Sequence, residues 1–255
     1  MTIFIYDKTF EGLLTAIFDA YSRKSFPDLL LAEGEPLPLF YDEAVTVCSD
    51  EQKSDRVWKA IQKKLSATAR TLLMTSWLSE LPEIDGLLFR YMRKTIDSPH
   101  SVEMNFGDPD VLEVSKIAKQ VSREHHRVIQ FLRFQKTMDG TFFAAVEPMY
   151  NVLPLVVSHL KKRFADQKWL LYDVKREYGF YYDLKEITEV RFEKKEAHLL
   201  TGFLQDELMD RDEKLFQQLW KEYFKTIGIK ERTNPKLHRQ NMPARFWKYM
   251  TEKRP

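Results

Sequence analysis

The apolar and polar positions at the start of the chain change from a strand pattern to a helical pattern. Residues 2–6 alternate and are β-branched or aromatic, which is typical of a β-strand. Across residues 10–21 the apolar side chains recur at spacings of three and four, which predicts an amphipathic helix. Proline and glycine within residues 27–38 predict a loop, and residues 44–48 have the composition of a second strand. A strand followed by a helix is therefore expected to open the fold.

Helical spacing of the apolar positions continues well beyond the second strand. Breaks near Ser66 and Pro82 divide this stretch into three predicted helices. Residues 98–110 then place Pro, Gly, Asn and Asp in turn positions, which indicates a boundary. We therefore predict a strand-helix and helical region over residues 1–107 and a second region over residues 108–255, with a single compact unit as the alternative.

The second region alternates predicted helices with pairs of predicted strands. Asp108 or Asp110 is placed to cap a helix that reaches about Gln130. The dipeptide Asp139-Gly140, which a type I′ turn requires, predicts a hairpin between two strand-like runs. The runs are residues 131–136 and 142–146, and further predicted elements are a helix at 153–164, strands at 169–173 and 178–184, and helical structure from residue 198 onward. This order predicts an α+β fold, mainly helical, with an antiparallel sheet flanked by helices on one face.

Composition indicates a self-sufficient globular protein. The 255 residues are 44% hydrophobic and 13% aromatic, so the chain can bury a sizeable core. Cys48 is the only cysteine, which excludes a disulfide framework or a cysteine-cluster metal site made by this chain alone. Asp7 comes too early for a signal peptide, and no apolar run approaches the ~20 residues of a membrane span. We expect a cytoplasmic location, no membrane association, no metal and no bound cofactor.

The net charge of +2 conceals blocks of opposite sign. Residues 1–60 hold 6 Lys and Arg against 11 Asp and Glu, whereas residues 214–255 hold 11 against 3. Residues 115–136 hold 6 basic side chains and one acidic side chain. If the two cationic blocks meet in space, they form a surface that attracts polyanions.

The predicted helix that ends near Gln130 has an apolar face and a basic face. Arg123 and Arg127 lie one turn apart on the basic face, with His126 beside them and Arg133 just beyond the end. Such a row can neutralise successive phosphates and release their counterions. An ordinary solvated helix face has the same pattern, so both interpretations stay open.

The C-terminal stretch combines aromatic and cationic side chains. Phe246 and Trp247 belong to an apolar pattern with spacings of three and four, so they can attach the segment to a core. Cations around them would then face solvent. Together with the basic helix they give a predicted nucleic-acid-binding set, which comprises Arg123, Arg127, Arg133, Arg163, Arg239, Arg245 and Lys248.

Motifs of the common nucleotide-binding sites are absent from the sequence. No two of the 8 glycines lie closer than 21 positions, which excludes a P-loop and a dinucleotide-binding fingerprint. His125 and His126 are adjacent on a predicted helix and point about 100° apart, so they are not expected to share a metal ion. A carboxylate-based reaction stays open, with Glu124, Asp173 or Asp183 as the candidate general base.

Five stretches of the chain carry a resemblance to a known family. They are "REHHRVIQFLRF", "DGTFFAAVEPMYNVLPLVVSHLKKRF", "WLLYDVKREYGFYYD", "LWKEYF" and "ERTNPKLHRQNMPARFWKYMTE". These resemble a bacterial family of unknown function labelled probable DNA metabolism protein, over nearly the whole chain and most specifically at the Pro-x-Arg-Phe-Trp terminus. The resemblance implies DNA metabolism as the process. It also implies, as partner, a uracil-DNA-glycosylase-type domain, to which such domains are fused, or a neighbouring radical-SAM protein; it supplies no catalytic residues.

Three functions are compatible with these features. The first is an accessory protein in DNA metabolism or repair that binds DNA, single-stranded or damaged DNA included, through a basic surface and presents it to a partner enzyme. The second is an enzyme that acts on DNA itself with a carboxylate-based site. The third is a protein-binding scaffold for a glycosylase-like or radical-SAM partner. Whether the protein is an enzyme stays open at this point.

Overall fold

The computed structural model describes residues 1–193, 197–229 and 234–253. The chain forms two compact units, Met1–Ser122 (unit 1) and Arg123–Pro255 (unit 2). Helix α5 (Pro109–Phe131) contributes residues to both units. The division lies within α5, whereas the sequence places a boundary just before this helix. No helix among the described residues has both the length and the apolar character that crossing a bilayer requires.

Unit 1 is built on a three-stranded parallel sheet with the strand order β2-β1-β3. Its strands are β1 (Thr2–Tyr6), β2 (Leu29–Ala32) and β3 (Glu43–Thr46), and its helices before α5 are α1 (Phe10–Arg23), α2 (Glu51–Lys64), α3 (Ala67–Trp77) and α4 (Ile84–Asp97). Ile3 and Phe4 of β1 and Leu13 and Ile17 of α1 are fully buried. The predicted opening strand and helix, and the three helices that follow, are confirmed.

Side-chain caps explain where several helices begin. The hydroxyl of Ser66 accepts a hydrogen bond from the backbone N–H of Ala69 at the start of α3. The carboxylate of Asp108 accepts one from the N–H of Asp110, at 2.9 Å, at the start of α5. The first of the two predicted caps for α5 is thus the correct one.

Strand β2 occupies part of the stretch that the sequence predicts to be a loop. It pairs in parallel with β1, with Leu30 opposite Phe4. The loop prediction was wrong because Leu29–Ala32 is a short apolar run without a period, and such a run does not reveal its conformation by pattern alone. Pairing with β1, which is distant in sequence, determines it.

Unit 2 contains a five-stranded sheet with the strand order β4-β5-β6-β7-β8. The strands are β4 (Gln135–Lys136), β5 (Phe142–Val146), β6 (Trp169–Asp173), β7 (Tyr178–Tyr182) and β8 (Ile187–Val190). Strand β5 is parallel to β6, with Ala144 opposite Leu171, and the other three pairings are antiparallel. Helix α6 (Leu153–Arg163) is the crossover that the parallel pair requires. The α+β class is confirmed, but the sheet is mixed rather than purely antiparallel.

Helical segments cover both faces of this sheet, whereas the sequence predicted helices on one face. Helix α6 packs against β7 on one face, where the ammonium of Lys161 lies 5.7 Å from the ring centre of Tyr182. On the other face Phe143 and Tyr172 join a buried cluster with Leu199 of helix α7 (Ala197–Thr201). The chain after residue 197 therefore supplies the second cover.

The predicted hairpin is confirmed, but its turn differs from the expected type. Only Gly140 of the Asp139-Gly140 pair has a positive φ, of 81°, and a type I′ turn needs positive φ at both positions. The N–H groups of Thr137 and Gly140 bond to the carbonyls of Thr141 and Thr137, each at 2.9 Å. This is a longer loop with glycine in the left-handed position.

The C-terminal part of unit 2 is largely helical among its described residues, as predicted. It contains α7, α8 (Glu213–Thr226), α9 (Pro235–Asn241) and 3₁₀ segments at Asp206–Leu208, Ala244–Tyr249 and Thr251–Lys253. Phe246, Tyr249 and Met250 are buried, so this segment attaches to the core through apolar side chains. Residues 230–233 and 254–255 of the predicted cationic block lie outside the described residues.

Candidate nucleic-acid interface

The carboxyl ends of β5 and β6 meet at one edge of the unit 2 sheet because these two strands are parallel. At this edge β5 continues into the loop of residues 147–151, which we call the 147–151 loop, and β6 continues into a turn that leads to β7. The N–H of Val174 bonds to the carbonyl of Val146 at 2.9 Å and holds the two connections together. In open α/β sheets, ligands commonly bind outside the carboxyl ends of parallel strands, and the β5–β6 pair has such an end.

Glu124 of α5 is a buried carboxylate that binds the 147–151 loop. Its side chain is 1% exposed, and its Oε1 atom accepts the N–H of Met149 at 2.9 Å. Its Oε2 atom pairs with the guanidinium of Arg245, and Nη1 of Arg127 lies 3.7 Å away. One carboxylate therefore connects α5, the loop and the Ala244–Tyr249 segment.

Asp173, at the end of β6, is the second buried carboxylate of this edge. Its side chain is fully buried and accepts the N–H groups of Lys175 and Arg176, at 2.9 and 3.1 Å. The Arg176 guanidinium donates to Asp173 at 2.9 Å and to the carbonyls of Pro148 and Met149 at 3.2 Å. Burial raises the pKa of Asp173, although its hydrogen bonds from Arg176 and the backbone act in the opposite direction.

Glu147, at the start of the loop, is bound by two side chains of the Ala244–Tyr249 segment. Its Oε2 atom accepts hydrogen bonds from the ammonium of Lys248 and, at 3.0 Å, from the hydroxyl of Tyr249. The hydrogen bond from Lys248 holds the pKa of Glu147 below its ordinary value. Burial and the bond to Glu147 raise the pKa of Tyr249.

Three of the seven predicted nucleic-acid-binding residues thus meet around the 147–151 loop. Their side chains keep access to solvent, since Arg127 is 33%, Arg245 32% and Lys248 54% exposed. Arg123 is exposed one turn before Arg127 and makes no ion pair within the described chain. Lys175 is exposed on the β6–β7 turn and contributes to the low pKa of Glu147. We call these five side chains the cationic surface; they are Arg123, Arg127, Lys175, Arg245 and Lys248.

The other three predicted residues lie elsewhere in unit 2. Arg133 pairs with Glu252, with Nη2 and Oε1 2.6 Å apart. Arg163 is exposed at the end of α6, which leads to the amino end of β6 and so to the opposite edge of the sheet. Arg239 lies on α9 and lines a separate groove.

The candidate general bases are all engaged in hydrogen bonds. Glu124 and Asp173 are buried and bonded as described above. Asp183 accepts the N–H groups of Lys185 and Glu186, each at 2.8 Å, and these bonds lower its pKa. The lowered pKa makes Asp183 a weaker base, whereas the carboxylate of Asp173 is occupied by the hydrogen bonds from Arg176 and two backbone N–H groups. The arrangement favours fixing the backbone and orienting cations over abstracting a proton.

The sequence did not single out Glu147, although Glu147 contacts two residues of the Ala244–Tyr249 segment. The sequence did not single out Lys175 or Arg176 either. The positions of these carboxylates in the sequence were a usable signal. Glu147 directly follows β5, Asp173 ends β6, and helix α6 connects these two strands. Recognising β5 and β6 as a parallel pair would have placed both carboxylates at one edge.

The adjacent histidines His125 and His126 of α5 directly follow the buried Glu124. The ring centres of His125 and His126 are 5.3 Å apart, and burial lowers the pKa of His125. Among the described residues no group of three or more His, Cys, Asp or Glu side chains is placed to hold a metal ion.

Comparison with known proteins gives a family and a distant likeness to a solved structure. No curated protein matches the chain significantly. Among solved structures, the chain is similar to a pGpG-specific phosphodiesterase, PggH from Vibrio cholerae, with 10% identity and a TM-score of 0.40, over 89% of this chain and 100% of that chain. A likeness at this level says nothing about activity. The family model of a domain of unknown function, DUF4130, matches residues 82–252, two thirds of the sequence, and the chain belongs to this family.

Proposed function

We propose that the protein binds nucleic acid through the cationic surface and serves as an accessory factor in DNA metabolism or repair. The observation that carries this proposal is the convergence of cations from three distant segments on the 147–151 loop. Arg127 comes from α5, Lys175 from the β6–β7 turn, and Arg245 and Lys248 from the Ala244–Tyr249 segment. Clustered cations create a local potential that attracts polyanions.

Ion pairing within the cluster supports this role. The buried carboxylate of Glu124 fixes the guanidinium of Arg245 while leaving a third of the side chain exposed. A guanidinium has five N–H donors in a rigid plane, and one carboxylate contact uses only part of them. A phosphate can therefore be bound by a side chain that is already oriented, which reduces the entropy lost on binding.

The hydrogen bonding of the three candidate bases supports binding over catalysis. An accessory factor needs a separate enzyme, and the resemblance to proteins of DNA metabolism suggests a glycosylase-type or radical-SAM protein for that role. Contacts to phosphates carry affinity but little sequence information. We therefore expect binding with weak sequence preference, to single-stranded or damaged DNA as well as to intact duplex.

The test is a titration of labelled duplex and single-stranded oligonucleotides at several salt concentrations. For duplex DNA, log K should fall with log salt with a slope of about −0.9 for each phosphate contacted. The variant Arg123→Glu with Lys175→Glu changes two exposed side chains of the cationic surface. It should weaken binding strongly. The slope of log K against log salt should become shallower by the equivalent of about two phosphate contacts.

A matched control is Lys162→Glu with Lys168→Glu, which makes the same change in net charge. Both lysines are exposed and lie near the amino end of β6, at the edge opposite the 147–151 loop. The control should bind nearly as tightly as the unaltered protein. Absence of binding at ~50 mM salt, or equal losses in the two double variants, would refute the proposal. Release of a base or strand cleavage on uracil-containing, mismatched or single-stranded DNA would favour an enzyme instead.

A further inference from the structure

Helix α8 presents an unusual row of apolar side chains to solvent. Leu215, Leu219, Tyr223 and Ile227 follow one another at four-residue intervals along one side of the helix, and each is more than half exposed. Phe216, 64% exposed, lies beside them. Single exposed apolar residues are common on protein surfaces, but a contiguous row indicates a surface that another molecule covers.

The side of α8 next to this row is the side that packs within unit 2. Glu213 is buried and accepts the N–H of Lys136 at 3.0 Å. The indole N–H of Trp220 donates to Glu252 at 2.9 Å, and the ammonium of Lys253 lies 4.7 Å from the ring centre of Phe224. The contacts that α8 makes within unit 2 therefore leave the apolar row uncovered.

A groove of about 850 Å³ lies at the end of this row. Its apolar lining includes Phe131, Phe224, Ile227, Leu237, Met242 and Trp247. Because Ile227 belongs to both the row and the groove, the two form one continuous surface, which we call the α8 surface. The volume of the groove lies within the range of about 300–1,000 Å³ that is typical of binding pockets.

The charged side chains among the described residues that line the groove are of one sign. Arg239 and Lys253 line it, and no Asp or Glu occurs among the described lining residues. A partner with carboxylates beside its apolar side chains would complement this lining, since complementary potentials accelerate and orient association.

We propose that the α8 surface binds an amphipathic helix of another protein, with apolar side chains at helical spacing and acidic residues on the flank. Helix-in-groove binding uses anchors at positions i, i+3, i+4 and i+7, which fit a row of four-residue periodicity. A second copy of this chain is disfavoured because it would bring its own Arg239 and Lys253 to the interface. Nucleic acid is disfavoured because the row is aliphatic apart from Tyr223, whose hydroxyl is the one hydrogen-bond donor that its side chains offer to phosphates. This inference does not depend on the proposed nucleic-acid binding.

The probe is a fluorescein-labelled helical peptide with leucines at i, i+3, i+4 and i+7 and glutamates on the flank, titrated by anisotropy. Ile227→Glu and Leu237→Glu alter exposed positions, so folding should be retained. Each should weaken binding by about tenfold or more, as loss of an interface anchor commonly does. Met138→Glu is the matched control, since Met138 is equally apolar and 66% exposed but lies on the β4–β5 loop; it should bind normally.

Two further peptides separate shape from charge. A scrambled peptide of the same composition and a peptide with lysines replacing the glutamates should each bind at least about tenfold more weakly. Equal binding of all three peptides, or unchanged binding by both groove variants, would overturn the proposal. It would also be overturned if a DNA oligonucleotide displaced the peptide, or if sedimentation showed a dimer that Ile227→Glu dissociates.

Discussion

Arg133 and Glu252 are 119 residues apart in the sequence and form an ion pair with 2.6 Å between Nη2 and Oε1. The Glu252 side chain is fully buried, and the indole N–H of Trp220 donates to its second oxygen at 2.9 Å. This pair joins the end of α5 to α8 and to the last described turn of the chain. Arg133 therefore has a structural role, although the sequence placed it in the nucleic-acid-binding set.

The Glu252 carboxylate should make stability depend on pH in the acid range. Burial opposes its ionisation, but hydrogen bonds from Arg133 and Trp220 outweigh burial and lower its pKa below the ordinary value of 4.5. A lowered folded-state pKa stabilises the fold above 4.5, and that contribution is lost as the pH falls through the folded-state value. In urea unfolding at a series of pH values, the free energy of unfolding should decrease as the pH falls through the acid range, which we call the acid limb. Glu252→Gln should make this decrease shallower.

The control for this measurement is Glu207→Gln, which changes an exposed carboxylate of the same unit. It should leave the acid limb unchanged. An acid limb with the same slope in Glu252→Gln as in the unaltered protein would contradict the assigned role of Glu252.

Asp173 should show the opposite pH dependence. Its folded-state pKa is raised above the ordinary 3.8 by burial, so its contribution to stability is greatest at low pH and is lost as the pH rises through the raised value. Asp173→Asn keeps an oxygen that can accept the N–H groups of Lys175 and Arg176. The excess stability of the unaltered protein over this variant should therefore shrink as the pH rises above 3.8. An excess that grows over that interval would show that the ion pair with Arg176 outweighs burial.

Removing the Glu124 carboxylate should destabilise the 147–151 loop. Glu124→Ala leaves the N–H of Met149 and the guanidinium of Arg245 without their buried acceptor. The expected loss is about 2–3 kcal/mol in the free energy of unfolding, measured by urea denaturation. Glu113→Ala removes an exposed carboxylate from the same helix and should change stability by less than about 0.5 kcal/mol. Similar losses in both variants would contradict the account.

Gly202 should tolerate a side chain less well than Gly140, although both have positive φ. A Cβ atom on Gly202 would lie 2.6 Å from a ring carbon of Tyr249, whereas nothing lies within 4 Å of one on Gly140. Gly140→Ala should therefore cost only the left-handed backbone term of about 1–2 kcal/mol. Gly202→Ala should cost more, and it should also disturb the Tyr249 contact with Glu147. Thermal denaturation of the two variants compares them directly, and equal costs would show that Tyr249 moves aside freely.

The elements that the sequence predicted correctly are those fixed by local chemistry. Helices α2, α3 and α4 have apolar positions at helical spacing, and the polar caps Asp50 and Ser66 mark where α2 and α3 begin. Strand β2 and the parallel pairing of β5 with β6 were missed because they depend on partners distant in the chain. The helix between β5 and β6 was a usable signal for the parallel pairing.

The candidate site was only partly predictable for the same reason. Composition identified Arg127, Arg245 and Lys248 as a possible group, and the structure brings them to one loop. No sequence pattern pairs Glu252 with Arg133, or Glu147 with Lys248, because these contacts arise only when the chain returns to the sheet near its C-terminal end.

The Ala244–Tyr249 segment packs against β5, which is about 100 residues earlier in the chain. In a chain that emerges from the ribosome from its N-terminal end, these contacts can form only after the sheet strands have been made. Until Arg245 and Lys248 have emerged, Glu124 has only Arg127 as a cationic neighbour and Glu147 lacks its ammonium partner, so this edge of the sheet carries two positive charges fewer than in the folded protein. The cationic surface of such a nascent chain would therefore attract nucleic acid less strongly than that of the folded protein. Full affinity would arise only after the Ala244–Tyr249 segment has packed against the sheet.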